Sequence, residues 1–231
     1  MSDKLTCTEH IVAFIDVLGT KQKILTSETD SLNVVHNSYT EAINYMEMIF
    51  GKEWFKNRRP KVRIFSDNIL FYCPVLNDDY QIAFVDTLIL IAMVQTQFLD
   101  NGYLVRGAIT KGPFFADDVM VWGNALVDAY RLESSCAIYP RIIIDDSIMN
   151  KLQQDKFKTI IIRDEDERFF VDYMSSGFGL DSTIRFSILN KAYQTNEKEI
   201  KESATDEGII KKLNWQKEYI IKKLMNLLEL M

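Results

Sequence analysis

The sequence predicts an α+β sandwich: a mostly antiparallel sheet with helices on one face, followed by C-terminal helices. Three observations carry this. Short β-rich apolar runs alternate with segments whose apolar residues recur every three or four positions. One pair of β-rich runs is broken only by Ser66-Asp67-Asn68, a turn signal that makes the pair a hairpin. No internal repeat or low-complexity linker interrupts the order.

Residues 10–18, HIVAFIDVL, form an apolar run too continuous for an edge and predict a central strand ending at Gly19. In 31–50, Leu32, Val35, Tyr39, Ile43 and Met46 mark one face of an amphipathic helix. A polar connection leads to the hairpin 62–73, with Asp67 at its tip. Helical spacing returns over 79–100, and 102–111 is a strand that stops before Gly112-Pro113. VWGNALVDAYRLESSCA then reads as a short strand entering a helix, and RIIID as another strand. FKTIIIR and RFFVDYM are strand-like runs joined by the acidic turn DEDE, and 182–203 and 207–230 are helical. In the last helix the apolar stripe runs beside Lys211, Lys212, Lys217, Lys222 and Lys223. Packing on its own sheet or on a second copy is the expected use of that stripe, with a membrane-surface helix as the alternative.

With 231 residues, the chain can bury roughly 70% of its unfolded surface without staples or metals. Cys7, Cys73 and Cys136 form no CxxC pair, so neither a disulfide framework nor a zinc ribbon is indicated. The 27 basic and 33 acidic residues give a net charge of −6, which disfavours a nucleic-acid partner. The start, MSDKLTCTEH, lacks the basic flank and apolar run of a signal peptide, and no apolar stretch is expected to reach the ~20 residues needed to cross a bilayer. A cytoplasmic protein without membrane contact is expected.

Two acids stand out by position. Asp16 interrupts an apolar strand and Asp67 sits at a hairpin tip. A carboxylate in a buried strand is costly unless paired, protonated or bound to a cation. Were the two strands neighbours, both carboxylates could meet at one spot and hold Mg²⁺ or Mn²⁺, hard ions suited to oxygen ligands. His10 and His36 have no partner at metal-ligand spacing, and a purely structural hydrogen-bonding role for Asp16 is the other reading.

Phe14-Ile15-Asp16-Val17-Leu18-Gly19 resembles the opening motif of class III nucleotidyl cyclases. Ser66-Asp67 is placed like that family's Gly-Asp hairpin, and Trp122-Gly123-Asn124 with Ala129-Tyr130-Arg131 is similar to its third motif. More narrowly, Phe65-Ser66-Asp67-Asn68, Gly123 to Leu126, Ala129 to Glu133, Tyr139-Pro140-Arg141-Ile142 and Phe169 to Tyr173 resemble the Pycsar pyrimidine cyclases of bacterial anti-phage defence.

The resemblance implies a ferredoxin-like cyclase domain over 1–181, with 182–231 a helical extension packed on the domain or dimer. It implies a homodimer with active sites across the subunit boundary, where a ribose 3′-hydroxyl attacks the α-phosphorus of UTP or CTP. Asp16, Asp67 and the main-chain carbonyl of Val17 would hold two Mn²⁺ or Mg²⁺ ions, and Arg131 would stabilise the transition state. The cyclic nucleotide would act on a separately encoded effector.

Leu18, Gly19 and Thr20, at the end of the first strand, are candidate amide donors to phosphate, and Phe14 could wall the ribose or base. Arg106, Lys111 and Arg168 are further phosphate candidates. Arg63 and Met120 stand where adenylate cyclases carry a base-reading lysine and aspartate, and Val127 where the family has a ribose-orienting asparagine. An arginine donating in a fork suits a pyrimidine carbonyl, uracil more than cytosine. A non-catalytic nucleotide-binding module and a metal-dependent phosphotransferase or nuclease are the alternatives.

Overall fold

The computed structural model describes residues 4–19, 27–53, 60–152, 154–203 and 206–229. In chain order the elements are β1 (Thr8–Val17), α1 (Glu28–Phe50), β2 (Lys61–Phe65), β3 (Asn68–Pro74), α2 (Tyr80–Asp100), β4 (Val105–Ala116), β5 (Val121–Trp122), α3 (Asn124–Cys136), β6 (Ile142–Ile144), α4 (Asp146–Met149), β7 (Ile161–Arg163), β8 (Phe169–Val171), α5 (Ser182–Glu202) and α6 (Glu207–Leu228). The sheet order is β2-β3-β1-β4-β6-β8-β7, with β5 paired to β4. Every pairing is antiparallel except β4 with β6. The α+β architecture with a mostly antiparallel sheet is therefore as the sequence predicts.

β1 is central because both faces of it are covered. Ile11, Ala13, Ile15 and Val17 enter the main core beneath α1, α2, α5 and α6, while Val12 and Phe14 enter a second, smaller core. That second core is closed by Ala125 and Ala129 of α3. So α3 is the exception to the expectation of helices on one face: it lies across the opposite side of the sheet. Gly123 makes the close approach possible. It has φ +143°, and a Cβ there would fall 2.3 Å from the Pro113 carbonyl oxygen, a position no other residue can take. The Thr110 hydroxyl then donates to the Ala125 carbonyl at 2.7 Å, tying the first turn of α3 to β4.

Three of the other long helices, α2, α5 and α6, begin at a capping aspartate. Asp79 accepts from the Ile82 amide, Asp181 from those of Thr183 and Ile184, and Asp206 from that of Ile209, filling donors that a helix start leaves open. One expectation needs correcting. α2, 21 residues long, has mean hydropathy 1.8 over an 18-residue window and is long and apolar enough to cross a bilayer, but that window is 78% buried. It is hydrophobic nearly all round because it forms the centre of the main core.

α6 docks through a buried polar cluster. Tyr219 donates to Asp172 at 2.7 Å and accepts from the Met174 amide; Lys223 pairs with Asp172, and Gln216 donates to the Tyr173 hydroxyl. Beside it, the fully buried Arg141 pairs with Asp164 and Asp166 and lies against the rings of Tyr139, Phe170 and Trp215. The Trp215 indole N–H also reaches Asp164. The segments around Tyr139–Ile142 and Phe169–Tyr173 thus anchor the C-terminal helix, and its apolar stripe faces its own sheet.

Removing one partner of a buried ion pair strands the other charge. Lys223→Met is expected to destabilise the protein by about 3–5 kcal/mol in urea denaturation, because Asp172 would lose its cation in a site 5% exposed.

Candidate active site

β1 and β3 run antiparallel with Asp16 opposite Asn68, so the C-terminal end of one strand meets the N-terminal end of the other. The Val17 amide donates to the Asp67 carbonyl at 3.0 Å, which holds the Ser66-Asp67 turn against the end of β1. Ser66 turns the chain with φ +56°, and the Asn68 side chain donates to the Asp67 carboxylate at 3.1 Å. Asp67, distant along the chain, is brought beside Asp16 and Val17 by this register.

On β4, Arg106 is the cross-strand partner of Asp16. Its Nε lies 3.3 Å from Asp16 Oδ2 and 2.9 Å from Glu133 Oε1. Glu133 belongs to α3 and its side chain is only 4% exposed, against 23% for Asp16. The Glu133 contact is an ion contact with poor hydrogen-bond alignment, since Oε1 has no hydrogen-bond partner. A second nitrogen of Arg106 donates to the Ala137 carbonyl at 3.4 Å. Burial pushes the Glu133 carboxyl above the usual glutamate range; Arg106 opposes this and the nearby Asp16 adds to it.

Arg106 was expected only as a phosphate candidate, and Glu133 not as part of the site at all. A signal for Glu133 existed. The buried positions Ala125 and Ala129 recur every four residues and lead directly to Glu133, placing an acid on the stripe that faces the sheet.

The remaining expected residues divide into three groups. Leu18 and Gly19 continue past the end of β1, where the Leu18 amide donates to the Leu104 carbonyl at 2.8 Å. It is therefore not available to phosphate, a correction caused by the chain before β4 reaching past the end of β1. Thr20 lies outside the described residues. Phe14 is buried in the second core, with its ring edge-on to Tyr130 at 5.6 Å.

At the sheet edge, Arg63 on β2 donates to the Asp117 carbonyl at 2.5 Å. Asp117 opens the turn that contains Met120, and its carboxylate accepts from the Val119 and Met120 amides. Arg63 and Met120 thus share one neighbourhood, beside a cavity of about 450 Å³ lined by Tyr39, Glu47, Arg63, Tyr72 and Asp117. Arg131 sits elsewhere. Residues two apart on a helix point about 200° apart, so Arg131 faces away from Glu133 and Asp16. It lines a groove of about 310 Å³ with Lys111, Asp128, Ser135 and Asp145.

Among the described residues no group of three or more His, Cys, Asp or Glu is placed to hold a metal. Asp16, Asp67 and the Val17 carbonyl would offer oxygen donors, the type that suits hard divalent cations drawing their other ligands from substrate phosphates and water. The Asp16–Arg106–Glu133 cluster brings two acids and one base together at this end of β1.

No family model matches the sequence, and no curated protein matches it. Solved structures give partial likenesses. The chain is 17% identical to the adenylyl cyclase CyaB of Pseudomonas aeruginosa, with a TM-score of 0.48 over 73% of this chain and 96% of that one. It is 18% identical to the catalytic core of a rhodopsin-guanylyl cyclase with converted specificity, with a TM-score of 0.49 over 74% and 98%. A class III adenylyl cyclase-like ATP-binding protein of Pseudomonas aeruginosa gives 9% identity and a TM-score of 0.46 over 81% and 40%. All three scores are below one half, and they establish neither family nor activity for this chain.

A group whose acid form is favoured by the fold contributes stability that is present at low pH and lost as pH rises. Relative to Glu133→Gln, the parent is therefore expected to lose stability as pH rises above 4.5. Urea melts of both proteins across pH 4 to 8 should show this difference flattening once Glu133 is fully ionised.

Proposed function

We propose that the chain is a pyrimidine nucleotide cyclase that converts UTP to 3′,5′-cyclic UMP and pyrophosphate, with CTP as the alternative substrate. The observation that supports it most is the 3.0 Å main-chain bond from Val17 to Asp67, which joins the two aspartate-bearing strand ends named by the sequence motifs. In the reaction the ribose 3′-oxygen bonds to the α-phosphorus, the bond to the β-phosphate oxygen breaks, and the hydroxyl proton is released. Asp16, Asp67 and the Val17 carbonyl would hold two Mn²⁺ or Mg²⁺ ions, which when bound lower the pKa of the 3′-hydroxyl and draw charge from the phosphates. Arg63 would donate to a uracil carbonyl, and Arg131 would fork onto the phosphate oxygens.

The placement of Arg131 favours a homodimer. Within one subunit it lies on the far flank of α3 from Asp16, so the two can serve one nucleotide only if Arg131 of the partner subunit supplies the guanidinium. Exposed apolar side chains around that helix, Phe65, Met120, Trp122, Val127 and Tyr130, are of the kind a second copy would cover. The released cyclic nucleotide would signal to a separate effector in anti-phage defence, in the cytoplasm.

Val127, 46% exposed on the outer side of α3, supports a second reading. An apolar side chain there cannot orient a ribose, so the domain could bind nucleotide without turning it over.

With Mn²⁺ and each of the four nucleoside triphosphates supplied separately, chromatography of the products is expected to show one pyrimidine cyclised preferentially. Asp16→Ala and Arg131→Ala should each lose about 10²-fold or more. Mixing those two inactive variants should restore activity, because a mixed dimer contains one intact site. Nucleotide binding with no turnover in the parent would instead select the second reading.

A further inference from the structure

We propose that Glu133 is a positioning residue that retains Arg106 when a divalent cation occupies Asp16, so that the Glu133–Arg106 pair sets the affinity of Asp16 for metal. This rests on the two-cation reading of Asp16 and Asp67. Arg106 stands between two carboxylates, and the contact to Glu133 is the shorter, at 2.9 Å against 3.3 Å, and the drier, at 4% exposure against 23%. Arg106 also donates to the carbonyl of Ala137, the residue that caps the C-terminal end of α3, where helix carbonyls carry partial negative charge.

The Nε–H hydrogen bond of the guanidinium goes to Asp16, while the shorter and more buried charge contact to Glu133 and the Ala137 carbonyl draw it toward the end of α3. A divalent cation arriving at Asp16 meets a positive charge that α3 already holds by its own carboxylate and carbonyl. Without the Glu133 charge, Asp16 would be the remaining carboxylate in contact with Arg106, and the guanidinium would compete with the metal. The choice of arginine follows from the geometry: one planar fork reaches three acceptors on β1, α3 and the residue after α3, which a lysine ammonium on a single stem does not span.

The test is electron paramagnetic resonance titration of Mn²⁺ alone against the full chain, which reads metal binding without turnover. Glu133→Gln is expected to raise the Mn²⁺ Kd about tenfold, the order found when a residue orienting a metal ligand is lost. The double variant Glu133→Gln/Arg106→Gln is expected to recover most of that loss, because the competing cation is gone. A Glu133→Gln protein that melts at a lower temperature but binds Mn²⁺ like the parent would make the pair purely structural and overturn the proposal, as would a double variant no tighter than the single. Should Glu133→Gln fail to fold, Glu133→Asp carries the test: it keeps the charge but draws it back from Arg106, and an unchanged Kd counts against the proposal. A parent that binds no Mn²⁺ overturns the two-cation reading together with this inference. Mn²⁺ binding with the expected variant pattern but no nucleotide conversion would overturn the cyclase reaction alone.

Discussion

The site depends on one electrostatic constraint: a carboxylate placed near the end of a central, mostly buried strand must find a positive charge. Asp16 finds it in Arg106, directly across the β1–β4 pairing at 3.3 Å, and Arg106 finds a second acid in Glu133 of the helix above. Leaving any one of these charges unpaired in partly dehydrated surroundings would cost several kcal/mol, about the size of a domain's whole stability margin. The three groups therefore fix one another, and in doing so fix how β1, β4 and α3 sit together.

That constraint explains why α3 crosses the face of the sheet opposite the other long helices. It approaches closely enough for Ala125 and Ala129 to close the second core, and this approach is possible only because Gly123 has no side chain to meet Pro113. The same placement sends Arg131 outward. Secondary structure, close backbone packing and charge pairing thus agree on an arrangement in which the residues expected to act together are split between two sides of one helix. In the proposed reaction, a second subunit would reunite them.

The opposite end of the sheet is organised by different physics. There the aromatic rings of Tyr139, Phe170 and Trp215 surround the buried Arg141, Tyr219 stacks on Trp215, and Asp172 is satisfied by Tyr219 and Lys223 of α6. These segments carry part of the sequence resemblance, yet their observed contacts hold the C-terminal helix in place. A motif can therefore mark a fold's internal joints as readily as its chemistry.

Local pattern determined a large share of the molecule. The continuous apolar run of β1, the Ser66-Asp67-Asn68 turn and the helical periodicity of 79–100, 182–203 and 207–230 act over short windows, and the structure has elements where those signals place them. The proximity of Asp16 and Asp67 was legible only as a condition, because strand pairing is a relation between distant segments that no single window encodes. Tertiary structure alone decided the rest: that Arg106 serves Asp16, that Glu133 completes the cluster, that the Leu18 amide is already bonded to Leu104, and that α2 is a core helix despite its bilayer-like hydropathy. Periodicity reports which face of an element is apolar, whereas the partner of a charge or an amide is set by which other segment the folded chain brings within about 3 Å.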